Sequence, residues 1–252
     1  MEREGTIMKI IVCQNKAELG RKAAQEVLGL VQKNPKAILG LATGSSPLEL
    51  YASLIEGYRG GVSFKDVQSF NLDEYIACPI KEQTYRFFME DNLFSHIDIK
   101  EENTHFPCQK DPESYDGEIE KAGGVDLQIL GIGRNGHIGF NEPNTPWDSK
   151  THIVPLTDST RKANARFFLN KEELVPTQAV SMGLATIMKA KKIILIANDS
   201  TKAEPIAAML RGEKTLELPA TVLLSHPDCD VFLTEDVYSE AKRINEEKGI
   251  HD

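Results

Sequence analysis

The chain has 252 residues, 40% of them hydrophobic and 27% charged, with a formal net charge of −9; this is ordinary globular composition at a length that suits one α/β domain spanning residues 1–252. The acidic balance argues against broad nucleic-acid or anionic-membrane partners, which need a basic surface, so an anionic ligand requires a local positive site. The longest apolar runs, at 37–42 and 193–197, fall far short of the roughly 18 residues of a membrane span.

The first residues, Met1-Glu2-Arg3-Glu4-Gly5, have no apolar core behind their charges and do not read as a secretory signal. Cys13, Cys78, Cys108 and Cys229 are scattered without a C-x-x-C pair, which fits reduced thiols better than a disulfide scaffold or a zinc site. A cytoplasmic protein without a metal is expected. The sequence leaves monomer and homo-oligomer open.

A short strand is predicted at 9–13, followed by Ala24, Val27, Leu28 and Val31 at helical spacing. The cycle repeats: the apolar run 37–42 leads into Thr43-Gly44-Ser45-Ser46-Pro47, then an amphipathic segment through Leu48, Leu50, Leu54 and Ile55. Further strands are predicted at 67–70, 125–130, 193–197 and 221–224, with helices at 84–94, 113–122, 181–189 and 201–211. Alternating strands and helices, with several strands apolar throughout, imply an α/β, Rossmann-like fold: a doubly wound, mostly parallel sheet with helices on both faces. Residues 141–147, with prolines at 143 and 146, read as a functional loop or lid. Ligands of such sheets bind beyond the carboxyl ends of the strands, where the chemistry-bearing motifs fall.

Thr43-Gly44-Ser45-Ser46-Pro47 is a hydroxyl-rich turn at a helix start, an arrangement that offers backbone N–H groups to an anion; ordinary capping by Ser45 or Ser46, with Pro47 at the first helical position, explains it as well. Asn198-Asp199-Ser200-Thr201-Lys202 repeats the design after strand 193–197. Its lysine sits at the disfavoured end of a helix dipole, which makes sense if an anion sits with it, although a solvated surface lysine explains it as well. Arg166, beside Phe167 and Phe168, suits a bidentate phosphate clamp or a plain helix surface.

Gly131-Ile132-Gly133-Arg134-Asn135-Gly136 matches a dinucleotide fingerprint. His137-Ile138-Gly139-Phe140-Asn141-Glu142-Pro143 follows, however, where a long helix should begin. The glycines are better explained as letting the backbone approach a ligand and aiming His137 into the site. Histidine titrates near neutrality and can pass protons to and from a sugar oxygen, and Glu142 is placed to hold its ring. Ser69-Phe70-Asn71-Leu72-Asp73-Glu74-Tyr75 puts two carboxylates past a strand end. One suits a cap; an aspartate between Leu72 and Tyr75 would have a raised pKa and suit removal of a proton α to a carbonyl.

Together Thr43-Gly44-Ser45-Ser46-Pro47, Phe70-Asn71-Leu72-Asp73-Glu74-Tyr75 and Gly136-His137-Ile138-Gly139-Phe140-Asn141-Glu142-Pro143 closely resemble the glucosamine-6-phosphate deaminase family. Ser159-Thr160-Arg161 through Arg166-Phe167-Phe168 and the turn at 200–202 also match in order and spacing, so the resemblance covers the chain from its first strand to about Leu224. It implies an aldose–ketose isomerisation coupled to loss of the amino group, with a sugar phosphate as the small-molecule partner and no metal or organic cofactor. By the same resemblance His137, oriented by Glu142, opens the pyranose ring, and Asp73 carries the C2 proton to C1. Thr43, Gly44, Ser45, Ser46, Arg166 and Lys202 hold the phosphate. The chain departs from the family's pattern at Asn135, often an aspartate there: it can orient His137 but brings no charge. The stretch Thr151-His152-Ile153-Val154 lacks the basic residues through which some members bind N-acetylglucosamine 6-phosphate, so no activation by that compound is expected. Two alternatives remain at this point: a 6-phosphogluconolactonase, which shares the fold and a Gly-His loop, and a non-catalytic sugar-phosphate sensor, for which only eight residues precede Lys9 as a DNA-binding segment.

Overall fold

The computed structural model describes residues 8–249, so the expectation about Met1 to Gly5 lies outside the described residues. From the N-terminus, β1 (Lys9–Cys13) leads to α1 (Lys16–Lys33), β2 (Ile38–Leu41), α2 (Leu48–Arg59) and β3 (Gln68–Asn71). Asn15 starts α1 by accepting the Glu18 N–H, the usual service of an asparagine N-cap. Next come β4 (Asp73–Tyr75), α3 (Tyr85–Asn92), β5 (Thr104–His105), α4 (Ser114–Ala122) and β6 (Leu127–Gly131). The second half carries β7 (His152–Pro155), α5 (Asp158–Asn164), β8 (Gln178–Ser181), α6 (Leu184–Met188), β9 (Lys192–Ala197), α7 (Ala203–Leu210), β10 (Cys229–Thr234) and α8 (Glu235–Glu247).

Seven strands form one sheet in the order β1-β10-β9-β6-β2-β3-β5, parallel at every pairing. The apolar strands are covered on both sides, as expected for a doubly wound sheet. Ile193 and Leu195 of β9 lie in one core with α6, α7 and α8 residues such as Leu184, Ile206 and Val237. Ile194 and Ile196 lie in the other with Leu19, Val27, Leu50 and Leu54 of α1 and α2. With both faces apolar, hydrophobic burial alone fixes the register of β9 weakly. The Lys192 to Asp230 ion pair, 2.9 Å, marks the start of the strand against β10 and breaks that degeneracy.

The structure corrects the expectation of a strand at 221–224. Pro219–Ser225 is a 3-10 helix: proline fixes φ and lacks a donor at its start, and Thr221 Oγ1 donates back to the carbonyls of Leu218 and Thr215. The strand that completes the sheet is β10, which has Asp230 in its interior, buried and satisfied by Lys192. The helix expected at 181–189 is shorter, because Ser181 ends β8. The one at 201–211 begins as a 3-10 turn, Ser200–Lys202, before α7.

A second, three-stranded antiparallel sheet, β4-β8-β7, was not expected. It pairs Asp73 with Ser181 and His152 with Ser181 from either side of β8. Tyr75, Phe140, Val154, Leu156, Phe168, Val175 and Ala179 pack under it.

Candidate active site

The sheet order puts β6 between β9 and β2, so the loops leaving these three strands are neighbours. They are stitched together by the turn after β2: Asn198 Nδ2 donates to the Ser46 carbonyl at 3.1 Å, and Ser46 Oγ would lie 3.4 Å from a Cβ at Gly131. Gly44 takes φ +95°, a left-handed conformation that glycine adopts without strain. Pro47 stands just before α2 rather than inside it, and no side chain caps that helix. Neither Ser45 nor Ser46 therefore acts as an ordinary cap; Thr43, Ser45 and Ser46 lie in the turn that leads directly into this helix start.

After β9, Asp199 accepts the Thr201 N–H at 2.9 Å, and Lys202 closes the 3-10 turn directly before α7. Burial pushes the Lys202 ammonium below its usual pKa; Asp199 opposes this, while Arg134 and Arg166 push it lower still. Three cations thus converge in an acidic protein. Arg166 stands in the 3-10 turn Ala165–Phe167, its guanidinium stacked 4.6 Å over the Phe167 ring. Among the described residues no carboxylate lies within ion-pair distance of Lys202, Arg134 or Arg166, which leaves their charge available to an anion.

Asp73 opens β4 and is 7% exposed. Its carboxylate accepts no hydrogen bond among the described residues, and burial, with help from the Glu74 charge, pushes its pKa up to about 8. Glu74 does other work. Its oxygens accept the N–H groups of Tyr75, Tyr85 and Arg86, all at 2.9 Å, and so anchor β4 to the start of α3. Burial still raises its pKa against those three bonds.

Gly139, at φ +58°, brings the histidine loop against Asp73: a Cβ there would stand 2.9 Å from Ser181 Oγ and 3.8 Å from Asp73 Oδ2. Ser181 Oγ also accepts the Phe140 N–H at 3.0 Å, tying the loop to β8. His137, two residues earlier, lies flat against Gly133, where a Cβ would meet its Cε1 at 2.1 Å. Asn135 Oδ1 contacts His137 Nδ1 at 2.6 Å, and Asn135 Nδ2 donates to Glu142 Oε2 at 2.6 Å. With the amide oriented by the carboxylate, its oxygen must accept from Nδ1–H, leaving Nε2 unprotonated. Glu142 itself stands 3.9 Å from Nδ1, so it holds the ring through Asn135 while its charge still acts on the imidazole directly. Burial lowers the His137 pKa; Glu142 raises it and Lys202 lowers it.

Thr43, Gly44, Ser45, Ser46, Asn135, His137, Glu142 and Lys202 therefore fall on the segments leaving the adjacent strands β2, β6 and β9, whereas Asp73 opens β4 of the second sheet and Arg166 comes from the 3-10 turn after α5. Sequence reasoning missed Arg134, although it stands inside the glycine-rich motif, and Thr160, whose Oγ1 donates to Glu142 Oε1 at 3.0 Å. It also missed Ser181, which no local pattern marks.

The sequence model described as glucosamine-6-phosphate isomerases/6-phosphogluconolactonase matches residues 14–232. The chain belongs to this family. Within the isomerase/lactonase family, it is 50% identical over 240 residues to a glucosamine-6-phosphate deaminase of Thermoanaerobacter pseudethanolicus, covering 92% of this chain and 94% of that one. To the glucosamine-6-phosphate deaminase of Clostridioides difficile it is 45% identical over 241 residues, 92% and 96% of the two chains. Among solved structures of the family, a monomeric glucosamine-6-phosphate deaminase of the NagB superfamily superposes with TM-score 0.89 at 37% identity, over 92% of this chain and all of that one. The 6-phosphogluconolactonase of Thermotoga maritima reaches TM-score 0.71 at 18% identity, over 91% and 99%, a likeness of fold alone.

Proposed function

We propose that this protein is a glucosamine-6-phosphate deaminase, converting glucosamine 6-phosphate and water into fructose 6-phosphate and ammonia. The observation that carries the reading is the meeting, across Gly139, of a buried carboxylate that accepts no hydrogen bond among the described residues and a loop that presents an imidazole whose Nε2 has no partner among them. Family members about half identical to this chain bear the deaminase name, whereas the lactonase likeness is one of fold.

In this reading Thr43, Gly44, Ser45, Ser46, Arg166 and Lys202 hold the phosphate. A dianion held by charge-assisted hydrogen bonds and a helix start fixes the position of the sugar, and such positioning contributes several kcal/mol towards a barrier. His137 Nε2 takes the proton of the C1 hydroxyl and returns it to the ring oxygen, opening the pyranose; Asn135 and Glu142 hold the imidazole through the exchange. Asp73 then takes the proton from C2 while the C2 ammonium gives up one proton to O1, leaving a neutral enolamine, and Asp73 delivers its proton to C1. The resulting 2-imine adds water and releases ammonia, leaving the ketone at C2.

The raised pKa of Asp73 makes it a stronger base once ionised, and a substrate ammonium on C2 favours its charged form as the complex assembles. Four free cysteines, and no helix among the described residues long and apolar enough to cross a membrane, support placing this chemistry in the cytoplasm.

The test is to supply purified protein with glucosamine 6-phosphate and, separately, with 6-phosphogluconolactone. Equimolar ammonia and fructose 6-phosphate support the reading; lactone hydrolysis without ammonia release overturns it.

A further inference from the structure

The hydrogen bonds behind His137 do not end at Glu142. Both oxygens of that carboxylate are held, one by Asn135 Nδ2 at 2.6 Å from the histidine's own loop and the other by Thr160 Oγ1 at 3.0 Å from α5. The direction of the Thr160 bond is fixed in turn: its hydroxyl accepts from Thr157 Oγ1 at 2.9 Å, which directs its own proton towards Glu142. The Thr157 oxygen also accepts the Thr160 N–H at 3.2 Å, so the donor is held by the first turn of its helix. The same segment ends in the 3-10 turn that carries Arg166, six residues on. Between them Asn164 Nδ2 donates to Tyr75 Oη at 2.8 Å, fastening the segment to β4, the strand of Asp73.

We infer that Thr160 is a positioning residue for ring opening: its hydroxyl holds Glu142 against Asn135, and so fixes the aim of His137, from the segment that also carries Arg166. The inference rests on the ring-opening role proposed for His137. A carboxylate gripped on one oxygen only is free to rotate about its terminal torsion, and Asn135 then loses the partner that orients its amide. Because Thr160 and Arg166 share one short segment, a phosphate drawn to Arg166 and a carboxylate held by Thr160 are brought to register together.

Thr160→Val removes the hydroxyl at nearly constant volume, and Thr160→Ser keeps it. Thr160→Val is expected to lower kcat about tenfold or more while KM changes less, since a charged acceptor loses its donor. The charged groups facing His137 are Glu142 from its own loop and Lys202 from the turn after β9. With Glu142 turned away, the support for imidazolium weakens and the acid limb of kcat/KM moves to lower pH. Thr160→Ser restores both the rate and the limb. An unshifted limb in Thr160→Val, or equal impairment of Thr160→Ser, overturns the inference and leaves Thr160 as a helix residue only. Thr160→Ala gives a second hydroxyl-free variant should the valine disturb folding. His137→Gln separates the two readings: normal turnover in that variant removes the ring-opening role itself, whereas its loss alongside an unaffected Thr160→Val removes only the part given to Thr160.

Discussion

Replacing Asp73 with asparagine tests whether the site stores strain in a buried, unpartnered carboxylate. The shift of its pKa from 3.8 to about 8 corresponds to a cost of about 6 kcal/mol for holding the anion inside the fold rather than in the unfolded chain. The sign follows from proton linkage. Because the folded pKa lies above the unfolded one, the native state binds the extra proton, and the associated stability is fully present below about pH 4. It is lost progressively as pH rises through about 8. Asparagine resembles the protonated acid in size and carries no charge, so Asp73→Asn should be as stable as the wild type in acid and more stable in alkali. The gap should widen by about 4 kcal/mol between pH 5 and pH 8. Urea denaturation of both proteins at several pH values measures it. Parallel stability curves across that range would refute the claim that Asp73 is held at an energetic disadvantage, and with it the argument that the carboxylate is primed as a base.

Three further outcomes follow from the geometry. Lys202→Ala should raise KM for glucosamine 6-phosphate about tenfold or more, with a smaller effect on kcat, because it removes a charge-assisted contact made before and during the reaction; an unchanged KM in steady-state kinetics would move the phosphate elsewhere. Gly133→Ala would place a Cβ 2.1 Å from His137 Cε1, forcing the imidazole aside, and a displacement of that size should cost about a hundredfold in kcat; near-normal turnover would mean the ring's present aim is unimportant. Asn135→Asp adds a negative charge at Nδ1, where burial now holds the imidazole pKa down. The acid limb of kcat/KM should therefore shift to higher pH, and a shift in the opposite direction would contradict the relay.

The sheet was legible where strands were apolar throughout, as at 37–42 and 193–197, because continuous burial leaves a plain mark in sequence. It was not legible at β10, where Asp230 interrupts the run and is tolerated only because Lys192 meets it from the neighbouring strand. Nor was it legible at 219–225, where the composition of a strand is overridden by proline and by a threonine bonding to its own turn. The antiparallel sheet joins Asp73 to Ser181 across more than a hundred residues, a pairing that no local period encodes.

The site divides in the same way. Asp73 and His137 stand out because their chemistry is unusual in its local setting, and Asn135 and Glu142 were legible beside His137. The order of the link, with Asn135 between the ring and Glu142 and Thr160 behind it, depends on distances that only the fold supplies. Glu74, adjacent to Asp73 and chemically alike, proved to be an anchor for α3. Which of two neighbouring acids is the cap is a matter of backbone direction, and the sequence does not state it.

The most direct test of the account is a crystal structure of Asp73→Asn with glucosamine 6-phosphate bound. The phosphate should lie among Thr43, Ser45, Ser46, Arg166 and Lys202. The C2 carbon should stand within about 3.5 Å of the side chain at position 73, and His137 Nε2 should reach the oxygens at C1 and in the ring. A complex in which position 73 and His137 face different parts of the sugar, or different cavities, would contradict it.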